Sequence, residues 1–240
     1  MKLSRNATLK IHYLLDQFCP PVVRDSGAFI ALPFRMLFGS RSRYFKEFKE
    51  KNPRYSAEDY REVYRAVDEV LIQRPTDLNT ECIEAITSSL AGESVLDVGC
   101  GRGLLAGVIS NTHQVTGLDM LISDEIRSLY PAVTFVEGFI EDLPFEDNAF
   151  DTVVCTHTLE HVQNLFLAIS ELRRVAAQRL IIVVPRQRPY RYTFDLHLHF
   201  FPYEHSLLNL IGPGYDNSCI TVGGDLFYTE NVTAQAQAKE

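Results

Sequence analysis

The sequence predicts an α/β protein: a doubly wound, mostly parallel seven-stranded sheet preceded by an N-terminal helical extension. Three observations carry this. Short apolar runs alternate with amphipathic helical segments from residue 78 onward. Those runs show no polar alternation, as strands buried on both faces require. And residues 94–104, Ser-Val-Leu-Asp-Val-Gly-Cys-Gly-Arg-Gly-Leu, join an apolar strand to a helix through Gly99, Gly101 and Gly103. Such a turn lets a ligand approach the backbone at the positive end of a helix.

The bulk numbers agree. At 240 residues, 46% hydrophobic and 22% charged, the chain accommodates one sizeable domain and an extension. A net charge of −8 argues against a general nucleic-acid binder. The five cysteines are scattered and include no C-x-x-C pair, which suits a reduced cytoplasm better than a disulfide or zinc framework. No signal peptide is apparent, and no run approaches the roughly 20 apolar residues of a membrane span.

In chain order, Leu9, Ile11, Leu14 and Leu15 suggest a short helix ending near Pro20. Phe29–Phe38 is strongly apolar and stops at Gly39, and Arg35–Arg54 holds seven basic residues against Glu47 and Glu50. Two readings stand for this stretch: a lid helix burying Phe29, Phe34 and Phe38 beneath a solvated basic face, or a peripheral contact with anionic lipid or a phosphate-bearing acceptor. Ser56-Ala-Glu-Asp59 has the form of a capping box and opens a helix with a Tyr60, Val63, Tyr64, Val67, Val70 stripe. The extension is placed at 1–75, the main domain at 76–230 and a frayed tail at 231–240. Beyond the glycine turn, strands are expected at 114–118, 133–136, 150–155 and 179–184, with helices around Ile126 and from Leu165. An extended segment is expected at 192–201, a helix at 203–210, and a closing antiparallel pair at 219–222 and 225–229.

Ligands of an open parallel sheet bind beyond the carboxyl ends of its strands. Asp97 and the glycines follow the first strand there. Asp119, 20 residues past Gly99, ends the second, where a carboxylate accepts from ribose hydroxyls. A nicotinamide fingerprint G-x-G-x-x-G fails, because position 104 is Leu.

Val95-Leu-Asp-Val-Gly-Cys-Gly-Arg-Gly103 resembles the first motif of the class I S-adenosylmethionine-dependent methyltransferases, of the type 11-like group. Glu141-Asp-Leu-Pro-Phe145, Phe150-Asp-Thr-Val-Val154 and His157-Thr-Leu-Glu-His-Val162 resemble its later motifs, in order, so that the likeness covers about 78–186. The resemblance implies a Rossmann-like fold and S-adenosyl-L-methionine as cofactor, with S-adenosyl-L-homocysteine as product. It implies that Asp97 faces the methionine amino group, and that Gly99, Cys100 and Gly101 let the cofactor approach the backbone. Asp119 would hold the ribose, Met120 pack on adenine, Ile140 offer backbone groups to the adenine edge, and Thr156 line the methyl-donor side. Phe139 departs from the family pattern, in which an acidic residue accepts from the adenine amino group; Glu141 or Asp142 would substitute, or the amino group would bond to backbone or water.

A hydroxyl acceptor needs a base with a pKa near neutrality. His157 and His161, four apart and on one face if helical, are the candidates, with His157 nearer the strand end. Asp195, His197 and His199 would share one face of a strand, either lining the acceptor cleft or forming a divalent-metal site, although no metal is assigned. Arg186, Arg188 and Arg191 lie either at the cleft mouth as anion binders or in a solvated loop. The expected function is methyl transfer to a small polar acceptor, such as a hydroxyl of a sugar or glycan precursor. Alternatives are a lipid-linked or hydrophobic acceptor, or a non-catalytic nucleoside-binding module. A small-molecule or glycan partner, no nucleic acid, no transmembrane segment and a cytoplasmic location complete the expectation. The sequence does not address the oligomeric state.

Overall fold

The computed structural model describes residues 18–68, 75–192, 195–212 and 216–232. The helix expected around residues 9–15 and most of the expected tail lie outside them. The chain divides into two compact units, Met1–Asp77 with Arg188–Leu198, and Leu78–Gln187 with His199–Glu240. Sequence reading assigned residues 188–198 to the second of these.

The first unit is helical: α1 (Pro21–Arg24), α2 (Gly27–Phe38), α3 (Ser42–Lys51) and α4 (Ala57–Asp68). Ser26 caps α2 by accepting from the Phe29 amide, and Gly39, at φ +55°, ends it. Phe38 stacks on Phe45 at 3.9 Å, Phe34 meets both edge-on, and Phe48 packs on Tyr60 at 5.8 Å. Each such ring pair adds about 0.5–1.5 kcal/mol beyond its burial. Phe34 and Phe38 are therefore core residues as expected, whereas Phe29 is exposed. The capping box forms: the Ser56 amide and hydroxyl donate to Asp59, and the Asp59 amide donates back to Ser56. The segment after the fifth strand of the sheet is tied into this unit. Arg24 donates to the Pro189 carbonyl at 3.1 Å and lies over the Tyr190 ring, and Asp25 accepts from the Arg191 amide. Lys49 donates to the Tyr190 carbonyl, and burial pushes its ammonium down to about 8 against the pull of Asp25.

The second unit opens with α5 (Thr80–Ser89) and continues β1 (Ser94–Val98), α6 (Leu104–Ile109), β2 (Gln114–Asp119), α7 (Asp124–Leu129), β3 (Val133–Glu137) and β4 (Phe150–Thr156). It closes with α8 (Leu165–Val175), β5 (Ala176–Pro185), α9 (Glu204–Ile211), β6 (Asn217–Val222) and β7 (Asp225–Asn231). The sheet order is β3-β2-β1-β4-β5-β7-β6. The first five strands run parallel, and β7 is antiparallel to both β5 and β6. This is the expected seven-stranded Rossmann-like sheet. Its order reverses between β1 and β4, which puts the crevice at their carboxyl ends. One apolar cluster on each face seals the sheet: Leu96, Val98, Val153 and Leu172 belong to one, and Val95, Ala106, Val154 and Ile181 to the other. Alternate residues of β1 and β4 thus serve opposite faces, so apolar residues stand side by side in both strands.

Residues 192–201 form no strand where described, contrary to expectation. Leu196 sits at φ +55°, which breaks the alternation that would have aligned Asp195, His197 and His199.

Candidate functional site

The glycine turn after β1 is held mainly by its own amides. Those of Gly99 and Cys100 both donate to the Leu118 carbonyl, at 2.7 and 3.0 Å. The Gly103 amide donates to the Cys100 carbonyl, and that of Gly101 to Asp119 Oδ2 at 2.8 Å. Four amides that would cradle a diphosphate in a dinucleotide site are committed internally, and α6 is only six residues long. Gly99 is dictated by packing as well as by its φ of +73°: a Cβ there would meet Thr158 Oγ1 at 2.1 Å. Gly101, at φ +52°, has nothing within 4 Å of where a Cβ would stand, so the turn presents open backbone at that point. The Cys100 thiol is buried and pushed up by desolvation, so it serves the core while its backbone shapes the turn.

Asp97, two residues before Gly99 on β1, is 1% exposed, and neither of its oxygens meets a donor in bonding geometry. Burial, and then the neighbouring Asp119, push its carboxyl up to about 7; the nearby Ala106 amide offsets this only in part. An unpaired buried carboxylate costs several kcal/mol unless a cation completes it. Asp119 is also raised by burial, while its Oδ1 accepts from the Leu121 amide and its Oδ2 from Gly101. A carboxylate has about four lone-pair sites, so it retains capacity for hydroxyl donors.

Met120 follows Asp119 directly and is half-buried. The Gly138 amide donates to the Asp119 carbonyl, which brings the turn after β3 to the end of β2. Within that turn the Asp142 amide donates to the Phe139 carbonyl, and the Ile140 side chain enters the core. Glu141 does not replace the missing adenine acceptor: its Oε1 accepts from the amides of Gln163 and Asn164 just before α8. Asp142 is exposed. The Leu-Pro-Phe stretch is clamped instead by Arg174, which donates to the Leu143 and Phe145 carbonyls.

Thr156 ends β4, and His157 turns the chain with φ +49°, its amide donating to the Val183 carbonyl. Residues 157–162 form a turn and not a helix, so His157 and His161 do not share a helical face. The His157 ring lies between Glu160 (Nδ1 to Oε1, 3.5 Å) and Asp225 (Nε2 to Oδ2, 3.4 Å), both almost fully buried. Burial alone would lower its pKa, but the two carboxylates prevail and raise it to about 10. The ring is charged at neutral pH. His161 is partly exposed, with Nε2 4.0 Å from Glu160 Oε1. The His199 ring lies 2.9 Å from the Val162 carbonyl, and its amide donates to that of Glu160. Asp195 and His197 belong to the first unit and His199 to the second. Among the arginines, Arg186 donates to the Pro202 carbonyl and Arg191 pairs with Glu50.

The carboxyl ends of β1, β2, β3 and β4 therefore bring together every predicted cofactor residue. Residues 96–184 match the family described as a methyltransferase domain. Over this stretch the chain is similar to methyltransferase domains. It is 36% identical over 110 residues to an O-methyltransferase (resE) of Aspergillus sclerotiorum, covering 42% of each chain. It is 34% identical over 93 residues to a demethylmenaquinone methyltransferase of Staphylococcus aureus, covering 35% of this chain and 39% of that one. The chain thus spans less than half the length of these curated relatives. A SAM-dependent methyltransferase structure from Aquifex aeolicus shares the fold at a TM-score of 0.51 and 18% identity, over 74% of this chain and 98% of that one.

The residues at this end of the sheet fit the cofactor that the resemblance implies. The orphaned Asp97 suits a ligand bearing an ammonium group, and the opening above Gly101 admits one close to the backbone. Sequence reasoning missed Thr158, Glu160 and Asp225. Glu160 stood within the quoted His157–Val162 motif, but only the β5–β7 pairing brings Asp225 to the same end of the sheet.

Proposed function

We propose that the protein transfers a methyl group from S-adenosylmethionine to an oxygen nucleophile of a small organic acceptor. The observation that carries the cofactor half is Asp97, a buried carboxylate without a donor beside a turn whose amides are already used. Such a site repels a diphosphate and favours a cationic ligand. In this reading Asp97 binds the methionine amino group, Asp119 accepts from the ribose hydroxyls, and Met120 and the backbone of Ile140 flank the adenine. Thr156 lies toward the methyl-donor side. Bound S-adenosylmethionine supplies a methyl group already activated by its sulfonium. The protein's task is then to align the acceptor and exclude water.

A hydroxyl acceptor must also lose a proton. His157 was the first candidate for this, but its charged ring has no lone pair to offer at neutral pH. We assign it a positioning role, bracing the end of β4 against β7. The base role passes to His161, which is partly exposed and faces the buried Glu160 carboxylate. The His161→Ala variant is expected to lose about 10²-fold or more in kcat while retaining cofactor affinity.

Two relatives frame the acceptor: an O-methyltransferase and a quinone methyltransferase. The sugar or glycan hydroxyl suggested by the sequence suits the first. A hydrophobic ring suits the second. Calorimetry with S-adenosylmethionine, S-adenosylhomocysteine and NAD tests the cofactor assignment. Binding of the first two and not the third is expected; the reverse pattern sinks it. Labelled S-adenosylmethionine with fractionated extract, followed by mass spectrometry, then identifies the acceptor, and the absence of any labelled product leaves the non-catalytic module.

A further inference from the structure

We propose that the first unit docks peripherally on an anionic lipid bilayer. The two units differ sharply in charge. The first holds sixteen Lys and Arg against eleven Asp and Glu, a net of +5, whereas the second holds seven against twenty, a net of −13. An anionic leaflet attracts the first unit and repels the second, which favours contact through the first alone.

That unit also exposes apolar side chains. Val22 is 81% exposed, Met36 77% and Phe29 42%. Phe29 and Met36 are seven residues apart on α2, two turns, and so lie on the same face. Exposed cations flank this face in sequence: Arg35 adjoins Met36, and Arg43 follows shortly after α2 ends. Apolar side chains beside Arg and Lys are the combination that an interfacial helix uses, sinking the first into the headgroup boundary and pairing the second with lipid phosphates. No helix among the described residues is long and apolar enough to cross a membrane.

Charge selects among occupants. A second copy of this face would set positive against positive. A nucleic acid would reward the cations but gain nothing from Val22 and Met36. A bilayer of acidic lipid rewards both.

Flotation of the full chain with liposomes tests this. Binding to phosphatidylcholine vesicles containing about one third phosphatidylglycerol is expected, with none to pure phosphatidylcholine. It should weaken severalfold at about 0.5 M salt. Arg35→Glu with Arg43→Glu is expected to weaken partitioning at least tenfold, at about fivefold per removed cation. Phe29→Ser with Met36→Ser should weaken it about tenfold without changing its salt dependence. All four side chains are exposed, and far-UV circular dichroism with cofactor titration confirms that each variant is folded. The proposal is overturned by absence of flotation with the acidic vesicles, by equal flotation with pure phosphatidylcholine, by wild-type flotation of the charge-reversed protein, or by tighter binding to a short RNA duplex than to vesicles.

Discussion

Two aspartates on adjacent strands of the same sheet have opposite fates. Asp151, near the amino end of β4, accepts from the Glu93 amide, the Ser94 amide, the Ser94 hydroxyl and Gln178, and these bonds hold its carboxyl down at about 2. Asp97, toward the carboxyl end of β1, has neither oxygen satisfied and is raised to about 7. Each end also has a glycine pressed against a side chain. A Cβ on Gly92 would meet Asp151 at 2.3 Å, and one on Gly99 would meet Thr158 at 2.1 Å. The amino end of the sheet spends its polar groups on closing the fold, and the carboxyl end leaves a charge open for a ligand.

The largest expected effects come from the two glycines. Gly92→Ala and Gly99→Ala each combine positive φ with overpacking, for a loss of about 3–5 kcal/mol in chemical denaturation. The two should part in function. At a temperature where both variants remain folded, Gly92→Ala is expected to keep wild-type cofactor affinity. Gly99→Ala is expected to lose it, because the shift falls on the turn above Asp97. Equal affinity losses would break the distinction between the ends.

Asp97→Asn follows in size, and its two readouts move in opposite directions. Cofactor affinity should fall about 100-fold for loss of a charge-assisted contact. Stability at pH 8 should rise by roughly 3 kcal/mol, since a buried unpaired charge has been removed. Loss of both together would mean that Asp97 braces the fold as Asp151 does.

Much of the fold around these two aspartates was legible in the sequence. The β1 turn, the parallel strands, Asp119 and the closing antiparallel pair all follow from apolar runs and glycine positions, because sheet burial imposes them locally. What stayed hidden depends on partners distant in the chain. Glu141 caps the approach to α8, His157 is charged because β7 delivers Asp225, and the 188–192 segment is held by Arg24, Asp25 and Lys49. Side-chain exposure escaped as well: Phe29 sits in the same apolar run as Phe34 and Phe38, yet it faces outward.

The pH profile separates the two aspartates next. Asp97 has a folded pKa near 7 against an unfolded value of about 3.8, so between those values the folded state binds more protons and stability falls as pH rises. Asp151 has a folded pKa near 2, so its contribution is full above about 3.8 and is lost as pH falls through 2. Denaturation followed from pH 2 to 8 should therefore rise and then decline. Asp97→Asn should remove the decline and leave the acid limb in place.

The smallest effect is Asp151→Asn. The amide keeps one acceptor oxygen but loses the charge that strengthens three donors from residues 93 and 94, for about 1–2 kcal/mol at pH 7. The loss should vanish below pH 2, where the wild-type carboxyl is itself protonated. Cofactor affinity should not change, because β1 is only re-anchored at its far end. If affinity fell in step with stability, the strand would be transmitting the amino-end latch to the glycine turn, and the two ends would have to be treated as one coupled element.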